Sequence, residues 1–185
     1  MAKASTNTAA KGTGKGLTFQ RYFTKQGVNV YDLFKYEKRT SVIRNPAGDA
    51  VFEMKNVEVP ETWSQVATDI LAQKYFRKAG VPQPDGSTSS ENSIKQVAHR
   101  MAHCWRSWGE RYNYFASKED AGIFYDELVY TIVGQLAAPN SPQWFNTGLH
   151  SSYGITGKPQ GHYFVNPDTD QLEKSTSAYA RPQPH

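Results

Sequence analysis

A change in the character of the sequence at Pro139 is the feature that most constrains this chain. Before it, apolar residues recur at the three- and four-residue spacing of amphipathic helices, whereas residues 139–185 are rich in Gly, Pro, Ser, Thr, Asn and aromatic residues and carry few charges. Such a composition is typical of loops that lie on a scaffold and shape a surface. The sequence therefore predicts a helical unit followed by a segment of different architecture.

The first helix is predicted between Pro60 and Gly80. Thr62 is the expected N-cap, with Gln65 three residues later to complete a capping box. The cations near its C-terminal end favour a dipole and solvation role over a nucleotide-phosphate cluster; they are Lys74, Arg77 and Lys78. The predicted buried face consists of Trp63, Val66, Ala67, Ile70, Leu71 and Tyr75.

Two longer helices follow and are expected to pack against each other. The second runs from about Glu91 to Trp108, with Arg100 and the other charged residues mostly away from the apolar face. The third is capped by Ser117 and ends at Pro139. Their apolar positions are Ile94, Val97, Ala98, Met101, Trp105 and Trp108 in the second helix, and Ala121, Phe124, Tyr125, Leu128, Val129, Ile132, Val133 and Leu136 in the third.

Strands are predicted on both sides of the helices. Residues 28–43 and the alternating segment Val51–Val59 should form an antiparallel hairpin around the turn Asn45–Asp49. Residues 83–92 are interpreted as a polar linker without regular structure. Gly161–Val165 is a further short strand candidate.

Length and charge limit the class of protein. The 185 residues suffice for one ordinary domain or for a small domain with part of another. Part of the net charge of +4 lies in residues 1–17. We interpret these as a disordered tail, because they cannot bury enough apolar surface to offset the entropy of ordering. An electrostatic arm for DNA is the less favoured interpretation, so no direct DNA binding is expected.

The single cysteine excludes an internal disulfide and a cysteine-rich zinc site, and it fits a reducing compartment. We expect Cys104, next to Trp105, to be an inert packing thiol. No apolar run approaches the roughly 20 residues that a membrane-spanning helix needs. A cytoplasmic protein without a membrane partner is therefore predicted.

Three histidines are candidates for a chemical role. His99 and His103 are four residues apart, but no third ligand stands at a recognisable spacing, so no metal site is predicted. His162 has the chemistry of a general base. Without a carboxylate or nucleophile paired to it in the sequence, a structural hydrogen-bonding role is favoured.

The dipeptide Ser141-Pro142 is the most distinctive local feature after the break. Because a proline ring clashes with a preceding residue in helical conformation, Ser141 is expected to leave helical geometry and lie at a chain reversal. Its hydroxyl and the neighbouring amides then suit a phosphate or a sugar hydroxyl. A common turn without a ligand is the other interpretation that local chemistry allows.

Four segments resemble consecutive blocks of one family. WSQVATDILAQKYFRKAG at 63–80 is similar to the N-terminal domain of the adenosylcobalamin-dependent (class II) ribonucleotide reductases. SPQWFNTGL at 141–149, GHYFV at 161–165 and STSAYARPQPH at 175–185 resemble the blocks that follow it. The resemblance covers roughly residues 18–185, and several ordered blocks are far more specific than one short motif.

The resemblance implies a fold, a domain order and site residues. The implied class is α+β, with a mainly helical N-terminal domain and small hairpin at 18–138. The beginning of a ten-stranded α/β barrel follows at 139–185, truncated before the first redox cysteine. Ser141 is implied to contact the substrate near its ribose and phosphate, with Asn146 and His185 as secondary candidates. No catalytic residue of the family is implied within this chain.

The resemblance also implies a reaction, that of a ribonucleoside-diphosphate reductase supplying DNA synthesis. Adenosylcobalamin would generate a thiyl radical on a cysteine, and two further cysteines would reduce the ribonucleotide to a 2'-deoxyribonucleotide. The implied partners are the ribonucleotide, the remainder of the reductase chain and a thiol reductant such as thioredoxin. Because the cofactor and those cysteines carry the chemistry, we expect this chain alone to be inactive and not to bind the cofactor by itself.

Alternatives of other classes stay open. A non-catalytic helical interaction module would bind a partner through the aromatic surface of residues 139–165. A nucleic-acid-binding protein would use the basic tail and show salt-sensitive binding. For the end at His185, an artificial truncation, an incomplete gene and a splicing junction are the three explanations considered.

Overall fold

The computed structural model of this protein describes residues 16–180. Helices and two-stranded antiparallel sheets alternate along the chain, which confirms the α+β class. Most of the predicted tail at 1–17, and His185, lie outside the described residues. The elements are β1 (Tyr36–Arg44), β2 (Ala50–Pro60), α1 (Gln65–Ile70), β3 (Val81–Pro82), β4 (Thr88–Ser89), α2 (Ile94–Arg111), α3 (Lys118–Val133), α4 (Ser141–Asn146), α5 (Leu149–Tyr153), β5 (Tyr163–Val165) and β6 (Leu172–Lys174), with a short 3-10 helix at Val30–Leu33 before β1.

The predicted hairpin is confirmed. β1 and β2 pair antiparallel, and the turn between them is closed by the Asn45 N–H, which donates to the Asp49 carbonyl at 2.9 Å. A register shift in β2 lies at Asn56, whose left-handed φ of 57° is a conformation that asparagine tolerates. The strand then buries Val57 and Val59 in the hydrophobic core. A lone hairpin is marginal in water, so this contact with the helices holds it in place.

The first helix was predicted with the wrong cap and the wrong end. Ser64, not Thr62, caps α1, because its hydroxyl accepts the Ala67 amide at 3.1 Å. A π-helical turn at Leu71–Tyr75 follows α1 directly, and helical structure stops five residues before Gly80. The chain is therefore free to change direction after residue 75.

The buried face of this helix matches the predicted one only in part, because Trp63 and Leu71 are buried as predicted and other positions differ. Val66 and Ile70 are 67% and 46% exposed, whereas Thr68 is fully buried. The Thr68 hydroxyl donates to the Ser64 carbonyl at 3.0 Å and accepts from the Arg39 guanidinium at 3.0 Å. A polar residue whose hydrogen bonds are satisfied is thus compatible with the core. The spacing of apolar residues in the sequence cannot reveal such a buried polar residue. The face that is buried consists of Trp63, Thr68, Leu71, Ala72 and Phe76.

The pairing of the two long helices is confirmed. α2 and α3 pack along each other and form the centre of the core. Ser117 caps α3 as predicted. The helix ends at Val133 rather than Pro139, because Gln135 adopts a left-handed conformation with φ 57°. Leu136, predicted on the buried stripe, is consequently 58% exposed.

The segment before the hairpin lies along α3. Leu17 exchanges backbone hydrogen bonds with Tyr114 and Ala116, at 2.7 and 2.9 Å. Arg21 forms an ion pair with Asp126 at 2.7 Å. These contacts join the first described residues to the helical unit, and the boundary of the tail stays a prediction.

The predicted linker 83–92 contains structure that its composition did not indicate. β3 and β4 form a minimal hairpin in which Val81 pairs with Ser89. Glu91, which follows it, is fully buried. The linker therefore places the Glu91 carboxylate in the core in addition to connecting two helices.

The chain after Pro139 is helical where a chain reversal was predicted. Ser141 is the first residue of α4, and Pro142 occupies its first turn. Proline is tolerated there because the first amides of a helix have no intrahelical partner. Trp144 of α4 is buried in the same core as α2 and α3, so this segment is attached to the helical unit.

The predicted strand at 161–165 is confirmed as β5. Its antiparallel partner β6 was not predicted. Within residues 16–180, the outer edges of this two-stranded ribbon pair with no further strand. The exposed apolar side chains on it are Tyr163, Val165 and Leu172.

Candidate functional site

Ser141 lies at an exposed corner formed by α4 and the π turn. Its hydroxyl is 3.1 Å from the hydroxyl of Tyr75, the last residue of that turn. The Tyr75 ring packs against Trp144 and Phe145, each with ring centroids 5.3 Å away. The corner therefore presents two paired hydroxyls on an aromatic base, and solvent can reach Ser141.

The other predicted site residues are placed differently. Asn146 is half-buried at the opposite end of α4 from Ser141. His185 lies outside the described residues, so the structure does not place it relative to the corner. Ser141 is exposed, whereas Asn146 is half-buried, and the Ser141 hydroxyl lies beside that of Tyr75.

A fully buried ion pair lies beneath this corner. Arg100 of α2 donates from Nε to Glu91 Oε1 at 2.7 Å, and neither side chain is exposed. Glu91 also accepts the Arg77 amide at 2.8 Å and the Tyr153 hydroxyl at 2.8 Å. Burial, with the charge of Glu91 as a further cause, raises the pKa of Tyr153 above its usual value, so its hydroxyl stays protonated as a donor.

The same guanidinium holds the backbone of the candidate site. Arg100 donates from Nη2 to the Trp144 carbonyl at 2.6 Å and from Nη1 to the Thr147 carbonyl at 2.7 Å. The Tyr75 carbonyl lies 3.5 Å from Nη2. One planar group with five donors thus joins the end of α4 to the π turn, which are the two segments that carry the hydroxyl pair.

Gly148 allows this close approach. It connects α4 to α5 with a left-handed φ of 83°, and a Cβ at this position would overlap the Arg100 backbone carbonyl. Only glycine adopts this conformation without strain while leaving room for a neighbouring backbone.

Neither charged residue of this site was predicted from the sequence. The apolar pattern places Arg100 on the polar side of α2, and it predicts Glu91 at the start of that helix after a polar linker. A signal was present for Arg100, because it lies three residues after Val97 and four before Cys104, which are both buried. No comparable signal marks Glu91.

The thiol and the histidines lie apart from the corner. Cys104 is buried as predicted, and burial raises the pKa of its thiol, although contacts with Ser151 and Gly148 oppose this. His99 shares a 2.8 Å hydrogen bond with Tyr125, and burial lowers its pKa. Among residues 16–180, no group of three or more His, Cys, Asp and Glu side chains is arranged to hold a metal ion.

The remaining polar candidates have structural partners. His162 faces Gln160, with Nε2 3.4 Å from Oε1. Lys78 donates to the Ala72 carbonyl near the end of the helical segment and lies 5.0 Å from the centre of the Phe52 ring. This carbonyl contact agrees with the predicted role of the basic residues at the C-terminal end of the first helix.

A cavity of about 710 Å³ lies beside the C-terminal half of α2. It is lined by the end of α2, by α5 and by β5, and its walls include Cys104, Trp108, His150, Phe164 and Tyr179.

Trp144, the tryptophan of the 139–165 surface that an interaction module would use, is only 8% exposed. Among the described helices, none has both the length and the apolar content to cross a bilayer.

Comparison with known proteins identifies the family. The family model described as class II vitamin B12-dependent ribonucleotide reductase matches residues 37–135. The vitamin B12-dependent ribonucleotide reductase of Bradyrhizobium diazoefficiens is 48% identical over 197 residues, which cover 91% of this chain and 16% of that protein. The corresponding protein of Agrobacterium fabrum is 45% identical with the same coverage, and that of Streptomyces coelicolor is 45% identical over 75% of this chain and 14% of its own length.

These relatives are much longer than the chain described above. It spans about 16% of the length of the Bradyrhizobium diazoefficiens and Agrobacterium fabrum proteins. The match of the family model covers more than half of this chain and includes all of the hairpin except Tyr36, together with α1, α2 and α3. The chain belongs to the class II vitamin B12-dependent ribonucleotide reductase family and corresponds to an N-terminal portion of such a reductase.

Proposed function

We propose that this chain is the N-terminal part of an enzyme that reduces ribonucleotides to 2'-deoxyribonucleotides. The observation that carries the proposal is the family membership of residues 37–135. The relatives are named as vitamin B12-dependent ribonucleotide reductases, and we extend that reaction to the complete protein that contains this segment. A non-catalytic interaction module is not favoured, because family membership supplies an enzymatic role.

We further propose the domain order expected from the resemblance. Residues 18–138 form the helical N-terminal domain, and residues 139–185 begin a ten-stranded α/β barrel. The β5–β6 ribbon supports this order, because its outer edges are unpaired within the described residues and its exposed apolar side chains suit further packing. Additional strands of the complete protein would join there.

Within this portion, Ser141 is the proposed substrate contact. A serine hydroxyl donates one hydrogen bond and accepts two, which suits a ribose hydroxyl or a phosphate oxygen. Its exposure and the buried support under α4 favour this role. Ser141 would bind and orient the nucleotide, while proton and radical transfer belong to residues outside this chain. Asn146 and His185 stay secondary candidates.

We propose that this chain alone does not bind the cobalamin. The cavity of about 710 Å³ is of the size that suits a drug-sized ligand, and a cobalamin with its nucleotide loop and adenosyl group is larger. We therefore propose that adenosylcobalamin binds to the complete enzyme and assign no residue of this chain to it. A thiol reductant such as thioredoxin is the proposed source of electrons.

The function is tested by comparing the complete protein with this chain. The full-length enzyme should convert CDP or CTP to the deoxynucleotide only when adenosylcobalamin and a dithiol are supplied. The 185-residue chain should form no product, because Cys104 is its only cysteine and is buried. Product formation by the short chain, or cobalamin-independent turnover by the long one, would contradict the proposal. Product is measured by chromatography of the nucleosides.

The role of Ser141 is tested by Ser141→Ala in the full-length enzyme. We expect kcat/KM for the ribonucleotide to fall about 2- to 10-fold, the net effect of one hydrogen bond. Ser89→Ala, at an exposed serine of β4, is the matched control and should leave kcat/KM unchanged. An unchanged kcat/KM for Ser141→Ala would remove this residue from the site.

A further inference from the structure

The π turn at Leu71–Tyr75 is an unusual way to end a helix. The Phe76 amide bonds to the Leu71 carbonyl at 3.0 Å, five residues back, so the turn is wider than an α-helical one. Single π turns within helices are often found at functional sites. Here the turn ends at Tyr75, and this is the side chain that meets Ser141.

Tyr75 is held at three points. Its ring lies against Trp144 and Phe145, its hydroxyl is 3.1 Å from the Ser141 hydroxyl, and its carbonyl lies near the Arg100 guanidinium. The ring and the backbone therefore each have a packing or polar contact, while the hydroxyl end is directed at an exposed serine. A hydrogen bond in such an open position contributes little to stability, because water can replace either partner.

We propose that Tyr75 is a positioning residue for Ser141 in nucleotide binding. This inference rests on the proposed function. With Tyr75 as donor, Ser141 keeps its own proton for a phosphate or ribose oxygen, and consecutive hydrogen bonds of this kind strengthen one another. The Tyr75 hydroxyl thereby selects one orientation of the serine side chain before the ligand arrives, which lowers the entropy cost of binding.

A double-mutant cycle in the full-length enzyme tests this inference. The variants are Tyr75→Phe, Ser141→Ala and the pair, and the probe is CDP, with its Kd measured by equilibrium dialysis without the cobalamin. Tyr75→Phe keeps the ring contacts and should weaken CDP binding about 2- to 10-fold. The double variant should bind no more weakly than Ser141→Ala alone, because the tyrosine acts only through the serine.

Steady-state kinetics and stability provide the second readout. Tyr75→Phe should raise the KM for the nucleotide and leave kcat within about twofold, as expected for lost ground-state binding. Its urea midpoint should equal that of the unmodified enzyme. Tyr22→Phe, at a tyrosine that is exposed and distant along the chain, is the matched control and should change neither constant.

The possible results separate the two proposals. If Ser141→Ala weakens binding and Tyr75→Phe does not, the inference about Tyr75 is wrong and the substrate contact stands. Additive effects in the double variant would also overturn the inference. If Ser141→Ala has no effect on CDP binding, the proposed contact itself fails, and the role assigned to Tyr75 fails with it.

Discussion

Replacing Arg100 by leucine should lower the free energy of unfolding of this chain by about 3–5 kcal/mol, the cost of breaking a buried ion pair from one side. The substitution leaves the Glu91 carboxylate fully buried without its cation. It also removes the donors to the carbonyls of Trp144 and Thr147. Urea unfolding followed by tryptophan fluorescence measures the change.

A surface pair on the same helix provides the control. Arg106 and Glu110 form a partly exposed pair one turn apart, so Arg106→Leu should cost about 0.5 kcal/mol or less. Removing both buried charges, with Glu91→Leu and Arg100→Met together, should recover only part of the stability lost in the Arg100→Leu variant. The reason is that the backbone carbonyls at the end of α4 still lack donors. Equal costs at Arg100 and Arg106 would show that the buried pair does not support the fold.

Replacing Gly148 by alanine should destabilise the chain by about 2–5 kcal/mol. About 1–2 kcal/mol comes from placing an L-residue in the left-handed region, and about 1–3 kcal/mol from overpacking. The new Cβ would overlap the Arg100 backbone carbonyl, so α5 must move away from α2. Thermal unfolding followed by circular dichroism measures the loss.

Gly154→Ala separates the two causes of this destabilisation. Gly154 also has a left-handed φ, 68°, but a Cβ there meets nothing within 4 Å. Its substitution should therefore cost only the conformational part, about 1–2 kcal/mol. If Gly154→Ala and Gly148→Ala are equally harmful, the close approach to Arg100 is not what requires glycine at residue 148.

Both predictions concern the segment that carries Ser141. Arg100 and Gly148 lie under or directly after α4, so each substitution should also weaken nucleotide binding in the full-length enzyme through displacement of that helix. The Ser141→Ala and Tyr75→Phe changes act on the hydroxyls and leave this support intact. A variant that loses both stability and nucleotide binding therefore affects the buried support. A variant that loses binding alone affects the exposed contact.

Local patterns were sufficient for several elements of the fold. The β1–β2 hairpin was predicted from an alternating strand beside a turn of Asn, Pro, Gly and Asp, and α3 from its serine cap and its apolar stripe. Both follow from short-range geometry, since strand alternation and helix periodicity depend on neighbours a few residues apart. The ordered blocks between residues 63 and 185 also sufficed to indicate the family.

Local sequence patterns gave wrong predictions where the hydrogen bonds of a polar side chain are satisfied by a residue distant in the sequence. Thr68 was not expected in the core, because its burial depends on Arg39 of β1. The α1 cap was misplaced by two residues, since Thr62 and Ser64 are equally suitable caps by composition. Ser141 was expected outside a helix, whereas its place at the start of α4 removes the conflict with Pro142.

The sequence by itself determined the α+β class, the helical pair, the main hairpin and the membership of the reductase family. The tertiary structure alone decided that Glu91 and Arg100 are buried together and that Tyr75 meets Ser141. The physical reason is that partners of these side chains lie far apart along the chain. Arg100 and the Trp144 carbonyl are 44 residues apart, and Tyr75 and Ser141 are 66 apart. A buried charge is tolerated only when partners converge on it, and a one-dimensional pattern does not reveal that convergence.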